Sequence, residues 1–176
     1  MKTVLKLLAA LVVAVLLLVA VGFALPSAFK VERAVQIEAP AAEVFGLIAS
    51  PREWKRWSAW NARDPAMRIE YTGPESGLGA GWSWQSASEG NGVMEFTAAV
   101  PGERLDYVLR FPDFGMESKG VLRIEPAGSG VRLSWSNEGD MGGNPINRWF
   151  GLFMDDLVGP DFEAGLANVK RIAETD

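Results

Sequence analysis

The side chains of this chain that could do chemistry are carboxylates, lysines, arginines, hydroxyls and two tyrosines, because it contains no histidine and no cysteine. Without cysteine there is no disulfide framework, thiolate nucleophile or thiolate metal ligand. Without histidine there is no Ser-His-Asp triad, no imidazole metal site and no side chain that ordinarily titrates near neutrality. Oxygen ligands exist at Asp155-Asp156 and at Glu138-x-Asp140. Adjacent helical positions point about 100° apart, so Asp155 and Asp156 converge poorly on one ion. Both pairs read as solvated acids. Gly77-Leu78-Gly79-Ala80-Gly81 imitates a phosphate loop, but Trp82-Ser83-Trp84-Gln85 follows with strand alternation instead of a helix N-terminus. Asp113-Phe114-Gly115 copies a kinase metal-binding triplet without its ATP loop, and reads as a hairpin loop. These patterns assign no catalytic residue, no metal and no cofactor. The net charge of −5 argues against nucleic acid as a partner, which would call for a basic face.

Polar residues on otherwise apolar strand faces carry a different message. Alternation groups Trp82 with Trp84, then Met94, Phe96 and Ala98, then Leu105, Tyr107, Leu109 and Phe111. It continues with Gly120, Leu122 and Ile124, and with Val131, Leu133, Trp135 and Asn137. A C-terminal helix adds Trp149, Phe153 and Leu157 to this wall. Tyr107 and Asn137 interrupt it, as Arg33 does on the first strand. Such groups orient ligands in apolar pockets. The same residues could instead satisfy one another within the core, or, for Arg33, bury a stem at a rim with the head in water. Trp54, Trp57 and Trp60 recur every three residues along one side of a helix, either docking that helix or lining a portal.

These residues need elements to hold them. Phe29–Ile37 alternates as a strand. Ala39-Pro40 opens a short helix, and Ser50-Pro51-Arg52-Glu53 opens a second, with Ser as N-cap, Pro at the first turn and Glu reaching back. Six alternating segments follow at about 67–72, 80–87, 92–100, 104–111, 117–125 and 129–137, separated by turn-rich pairs of which Asn91-Gly92 is the strongest hairpin signal. They form an antiparallel meander. Asn144-Pro145 then caps a long helix that Gly159-Pro160 should kink or briefly break. A twisted seven-stranded sheet cannot fill its own concave face, so a helix laid across it leaves a packed core or a cavity.

The leader, residues 1–26, is a separate unit. Lys2 and Lys6 precede an unbroken apolar run, Leu7–Leu25, of 19 residues. That is about 28 Å of helix, close to the roughly 30 Å hydrocarbon core. A cleaved signal has a shorter run ending in a small-x-small site; here Gly22-Phe23-Ala24 lies inside the run, which favours an uncleaved transmembrane anchor. Removing the leader's +2 from the total of −5 leaves −7 on residues 27–176, one domain. The positive-inside rule puts the N-terminus in the cytoplasm and the domain on the periplasmic or outer side.

This order resembles the START / polyketide-cyclase-like (SRPBCC) superfamily and its membrane-anchored bacterial members. The resemblance rests on the stretch from Val35 to Phe45, on Trp54-x-x-Trp57-x-x-Trp60, on Gly130–Trp135 and on Gly159–Lys170, and covers about 29–173. It implies an α+β helix-grip fold: a curved seven-stranded antiparallel sheet around a long C-terminal helix, two short helices after strand 1, and a largely apolar pocket without a cofactor. The candidate ligand-binding residues are then Arg33, Trp57, Trp60, Trp82, Trp84, Phe96, Tyr107, Phe111, Trp135, Asn137, Trp149 and Phe153. The expected function is a membrane-tethered binding module for a hydrophobic small molecule or lipid. The alternatives are a cyclase, dehydratase or hydrolase acting on an apolar substrate, and an interaction domain with a filled pocket.

Overall fold

A computed structural model describes residues 2–175. Helix α1 (Lys2–Ala24) leads into strand β1 (Ala28–Ile37), and three short helices follow: α2 (Ala41–Ala49), α3 (Pro51–Trp57) and α4 (Ala59–Arg63). The meander comprises β2 (Arg68–Thr72), β3 (Gly81–Ser86), β4 (Gly90–Val100), β5 (Arg104–Phe111), β6 (Met116–Ala127) and β7 (Gly130–Asp140). The chain ends in α5 (Pro145–Leu152) and α6 (Met154–Ala173). The sheet order is β1-β7-β6-β5-β4-β3-β2, antiparallel throughout, so the first strand closes the sheet beside the last. Helix α6 packs across β1 and over the concave face, where Phe162, Leu166, Val169 and Ile172 are buried.

Several local expectations change in the folded chain. The short helices number three instead of two, because the third tryptophan of the Trp54-x-x-Trp57-x-x-Trp60 series falls on a separate turn, α4, after the chain leaves α3 at Ser58. Ser50 does not cap α3; its hydroxyl donates to the Glu75 carbonyl at 3.3 Å. Asn144 does cap α5, accepting from the Ile146 N–H at 2.9 Å. The β3–β4 turn lies at residues 87–89, ahead of Asn91-Gly92, which pair with Gln85 and Trp84 inside the ladder. Gly92 is needed there for packing: a Cβ would sit 2.2 Å from the Trp84 ring. A bulge between Phe96 and Ala98 shifts the register of β4, so Ala99, paired with Leu105, replaces Ala98 on the concave face.

The C-terminal break falls at Phe153 and not at Gly159-Pro160. Phe153 (φ −102°, ψ 3°) leaves helical geometry where the chain passes from α5, which packs on α1, to α6, which packs on β1. Pro160 stays within α6 on its exposed face, where its missing N–H removes one helical hydrogen bond without ending the helix.

One close approach on the concave face depends on a glycine. Tyr107 pairs with Gly120 across β5–β6, and a Cβ on Gly120 would lie 1.9 Å from the phenol ring. The aromatic ring occupies the space of the side chain that glycine lacks. Alanine normally suits a strand at least as well as glycine. Gly120→Ala should nevertheless destabilise the protein by about 1–3 kcal/mol, the usual range for overpacking, measured by urea denaturation. A neutral or stabilising effect would show that the ring does not lie over this position.

Candidate ligand-binding site

The floor of the site is built by tryptophans whose polar ends are used up in holding helices together. The Leu47 carbonyl would accept a helical bond from residue 51, but Pro51 has no N–H. The Trp57 indole N–H donates to that carbonyl at 3.1 Å, and the Trp54 indole to the Ile48 carbonyl at 2.7 Å. Both rings are thereby turned inward, 1% and 2% exposed. Trp135 on β7 meets Trp54, Trp57 and Trp60 edge-on, and stacks flat on Phe162 of α6 with centroids 3.9 Å apart. Asn168 of α6 donates to the Trp57 carbonyl at 3.1 Å, tying the last helix to α3.

Above this cluster, between the sheet, α3–α4 and α6, lies a cavity of about 220 Å³. Its walls are apolar: Trp54, Trp60, Trp82, Trp84, Leu109, Phe111, Val158 and Phe162, with Met67, Met94, Met116 and Met154. The volume is below the roughly 300–1,000 Å³ of many ligand sites, but methionines are unbranched and re-pack easily, so this wall can adapt to its contents.

Polar groups enter the cavity at few points. Tyr107 Oη accepts from Trp135 Nε1 at 2.9 Å and from Asn137 Nδ2 at 3.3 Å. Burial pushes the Tyr107 phenol up to about 12, and the two N–H donors at its oxygen offset this only in part. Asn137, 7% exposed, has no hydrogen bond to its other amide atom among the described residues. Whichever way the amide is turned, one edge meets Tyr107 and the other is left for the cavity. The hydroxyl of Ser58, a residue only 4% exposed and also on the wall, has no partner among the described residues.

The carboxylates of the wall are engaged in ion pairs. Glu117 pairs with Arg110 at 2.9 Å. Glu89, in the β3–β4 turn, holds Arg63 of α4 through two bonds of 2.8 and 3.1 Å, and Arg63 also grips Asp161 of α6. This three-element clamp joins the hairpin to α4 and α6 beside the cavity. Among the described residues no group of three or more Asp or Glu is placed to hold a metal ion.

Of the residues proposed from the sequence, Trp60, Trp82, Trp84, Tyr107, Phe111 and Asn137 line the cavity. Trp57, Phe96 and Trp135 stand behind the wall as buried packing, Phe96 edge-on to Trp82. Arg33 lies outside, bound bidentately to Asp155 at 2.8 and 3.0 Å and to Glu163 at 2.7 Å, so it fastens β1 to α6. Trp149 and Phe153 do not reach the cavity, because α5 rests on α1 and turns its apolar stripe outward. The sequence reading did not select Ser58, Arg63 or the methionines. Strand alternation had placed Met94 on the correct face; Ser58 sits in a helix junction and carried no signal.

Residues 28–174 match the profile of the family described as polyketide cyclase / dehydrase and lipid transport. No curated protein sequence gives a significant match. Among solved structures, a protein of Chromobacterium violaceum aligns with a TM-score of 0.56 at 19% identity, covering 84% of this chain and 98% of that one. Norcoclaurine synthase from Thalictrum flavum, in complex with dopamine and hydroxybenzaldehyde, aligns with a TM-score of 0.61 at 13% identity, covering 86% and 90%. The di-domain ARO/CYC StfQ from the steffimycin biosynthetic pathway gives 0.64 at 12% identity, covering 84% of this chain and about half, 51%, of its own. At these identities the likeness is one of fold, the helix-grip fold of the SRPBCC superfamily. With its family match spanning the sheet, the covering helix and the cavity between them, the chain belongs to the polyketide cyclase / dehydrase and lipid transport family.

Proposed function

We propose that this protein is a membrane-tethered binding module that holds a hydrophobic small molecule or lipid in the cavity between its sheet and α6. The observation that carries the reading is the wall itself: mostly aromatic and methionine surface, with the Asn137 amide edge, the Tyr107 oxygen and the Ser58 hydroxyl among its few polar groups and its carboxylates held by arginines. An apolar body with one weakly polar end fits that pattern. The tether is α1, a helix of 23 residues, long and apolar enough to cross a membrane and hardly buried by the rest of the chain. Lys2 and Lys6 at its start support a cytoplasmic N-terminus, with residues 27–176 forming the domain on the periplasmic or outer side.

A second reading, an enzyme of the cyclase or dehydratase kind, draws support from Tyr107, the one titratable group deep in the site, and from structural neighbours that include a synthase and an ARO/CYC protein. General acid–base work near neutrality favours a group whose pKa lies near the working pH. Tyr107 is pushed the other way, to about 12, and the carboxylates on the cavity wall are held by arginines. Both features favour binding over chemistry. The cavity weighs against a filled-pocket interaction domain.

Purification of the full chain into nanodiscs of one synthetic phosphatidylcholine, followed by solvent extraction and mass spectrometry, should recover a second, apolar molecule in near-stoichiometric amount. A brominated fatty acid should then quench tryptophan fluorescence saturably, through Trp60, Trp82 and Trp84, and Val158→Phe should remove the saturable part by filling the cavity. Absence of both extract and saturation would move the reading to a filled pocket. The acid–base state of Tyr107 is tested in Tyr71→Phe, where Tyr107 is the remaining tyrosine. Its tyrosinate absorbance should rise near pH 12 instead of 10. Because the folded value is raised, the neutral phenol's contribution to stability is complete below pH 10 and is lost as the pH climbs through about 12. Ionisation below pH 10 would favour the enzyme.

A further inference from the structure

Among the described residues, the apolar stripe along α5 and the start of α6 has no partner. Ile146, Phe150, Phe153 and Leu157 follow at helical spacing, and all are more than half exposed, Phe150 at 59% and Leu157 at 60%. Isolated exposed apolar residues are ordinary, but a contiguous row of them is not.

The position of the stripe says what covers it. Trp149 Nε1 donates to the Leu18 carbonyl of α1 at 3.0 Å, and Arg148 Nη1 donates to the Phe23 and Leu25 carbonyls at 2.8 and 3.1 Å. Gly22 is the crossing point, where a Cβ would lie 2.7 Å from the Pro145 carbonyl oxygen. Leu18 precedes the end of α1, Ala24, by about 9 Å of helix. Helix α5 therefore runs beside the last turns of α1 and not beyond them. The apolar run of α1 is only about as long as a hydrocarbon core is thick. A bilayer that covers the run reaches Leu18, and with it α5.

We propose that α5 and the first turns of α6 are a second membrane contact: an interfacial helix pair set into the leaflet where α1 emerges, its stripe covered by acyl chains. This rests on the reading of α1 as an anchor. Arg148 is the only basic residue between Pro145 and Leu157, and its guanidinium is taken by backbone carbonyls, including that of Gly142 at 3.0 Å. Asp155 and Asp156 lie within the same stretch. The surface is thus built for apolar insertion into a zwitterionic leaflet and not for anionic headgroups. Met154 and Val158, beside the stripe on α6, line the cavity. One side of α6 faces lipid while another walls the ligand site, so an apolar ligand passes between bilayer and cavity with little exposure to water.

The chain has no cysteine, which makes single-site labelling clean. An environment-sensitive fluorophore is placed at Val13→Cys, Phe150→Cys, Leu157→Cys and, as an exposed strand control, Arg132→Cys, in the full chain in phosphatidylcholine nanodiscs. Spin-labelled lipid and aqueous iodide serve as quenchers. The expected result is lipid quenching with a blue-shifted emission at Val13, Phe150 and Leu157, and iodide quenching at Arg132. Gly22→Leu keeps α1 apolar but forces α5 away, and should reduce lipid quenching at Phe150 while leaving Val13 unchanged. Lipid quenching at Val13 with iodide quenching at Phe150 would overturn the inference and leave the anchor standing. Failure at Val13 would overturn the anchor and the inference together. A Phe150 label shielded from both quenchers would mean that another copy of the chain covers the stripe, which also overturns it.

Discussion

Trp135 is the residue through which the sheet and three of the helices above it are joined. Its face stacks on Phe162 of α6, its edges meet Trp54 and Trp57 of α3 and Trp60 of α4, and its N–H is spent on Tyr107. An indole is large, rigid and polar at one atom only. Buried at 0% exposure, it fixes where α6 can lie and turns the Tyr107 hydroxyl into an acceptor. Asn137 then keeps one amide edge that can offer polarity to a ligand without breaking that bond. The depth of the cavity and the sparseness of its polar groups both follow from this arrangement.

The same economy leaves the site with few uncommitted polar groups. Each indole N–H in the floor is committed: Trp57 and Trp54 to carbonyls stranded by Pro51 and the end of α2, and Trp135 to the phenol. The carboxylates that border the cavity are committed to arginines, and those arginines join elements: Arg63 links α4, the β3–β4 turn and α6. Groups so engaged position structure. What remains open to a guest is largely apolar surface, much of it in four flexible methionines, with a few uncharged polar groups such as the Asn137 amide edge and the Ser58 hydroxyl.

The C-terminal helices divide their labour along their faces. Where α6 packs on β1 and Trp135, its apolar residues are core; where α5 rests on α1, the row from Ile146 to Leu157 points outward. Arg33 marks the boundary, holding Asp155 and Glu163 so that α6 stays on β1 while α5 is free to follow α1. The break at Phe153 separates these two dockings.

The sequence by itself determined the broad order of elements, the six-stranded antiparallel meander, the spanning length of the leader and the face of nearly every strand, because period-2 alternation and turn chemistry are local. It also determined that no histidine or thiol chemistry is available. Half of the residues it proposed for the site, Trp60, Trp82, Trp84, Tyr107, Phe111 and Asn137, stand on the cavity wall, since a strand's concave face is readable from alternation. Depth is not readable in that way. Trp57, Phe96 and Trp135 belong to the same faces yet lie a layer deeper, a distinction made only when α3 and α6 settle on the sheet. Register was equally non-local: the bulge that exchanged Ala98 for Ala99, and the ring of Trp84 that drew Gly92 into the ladder, depend on partners on neighbouring strands. Helical periodicity gave Trp149 and Phe153 an apolar stripe but not its direction. Only tertiary structure decided that, because a stripe records that something apolar must cover it, and α1, rather than the sheet, decides which way it turns.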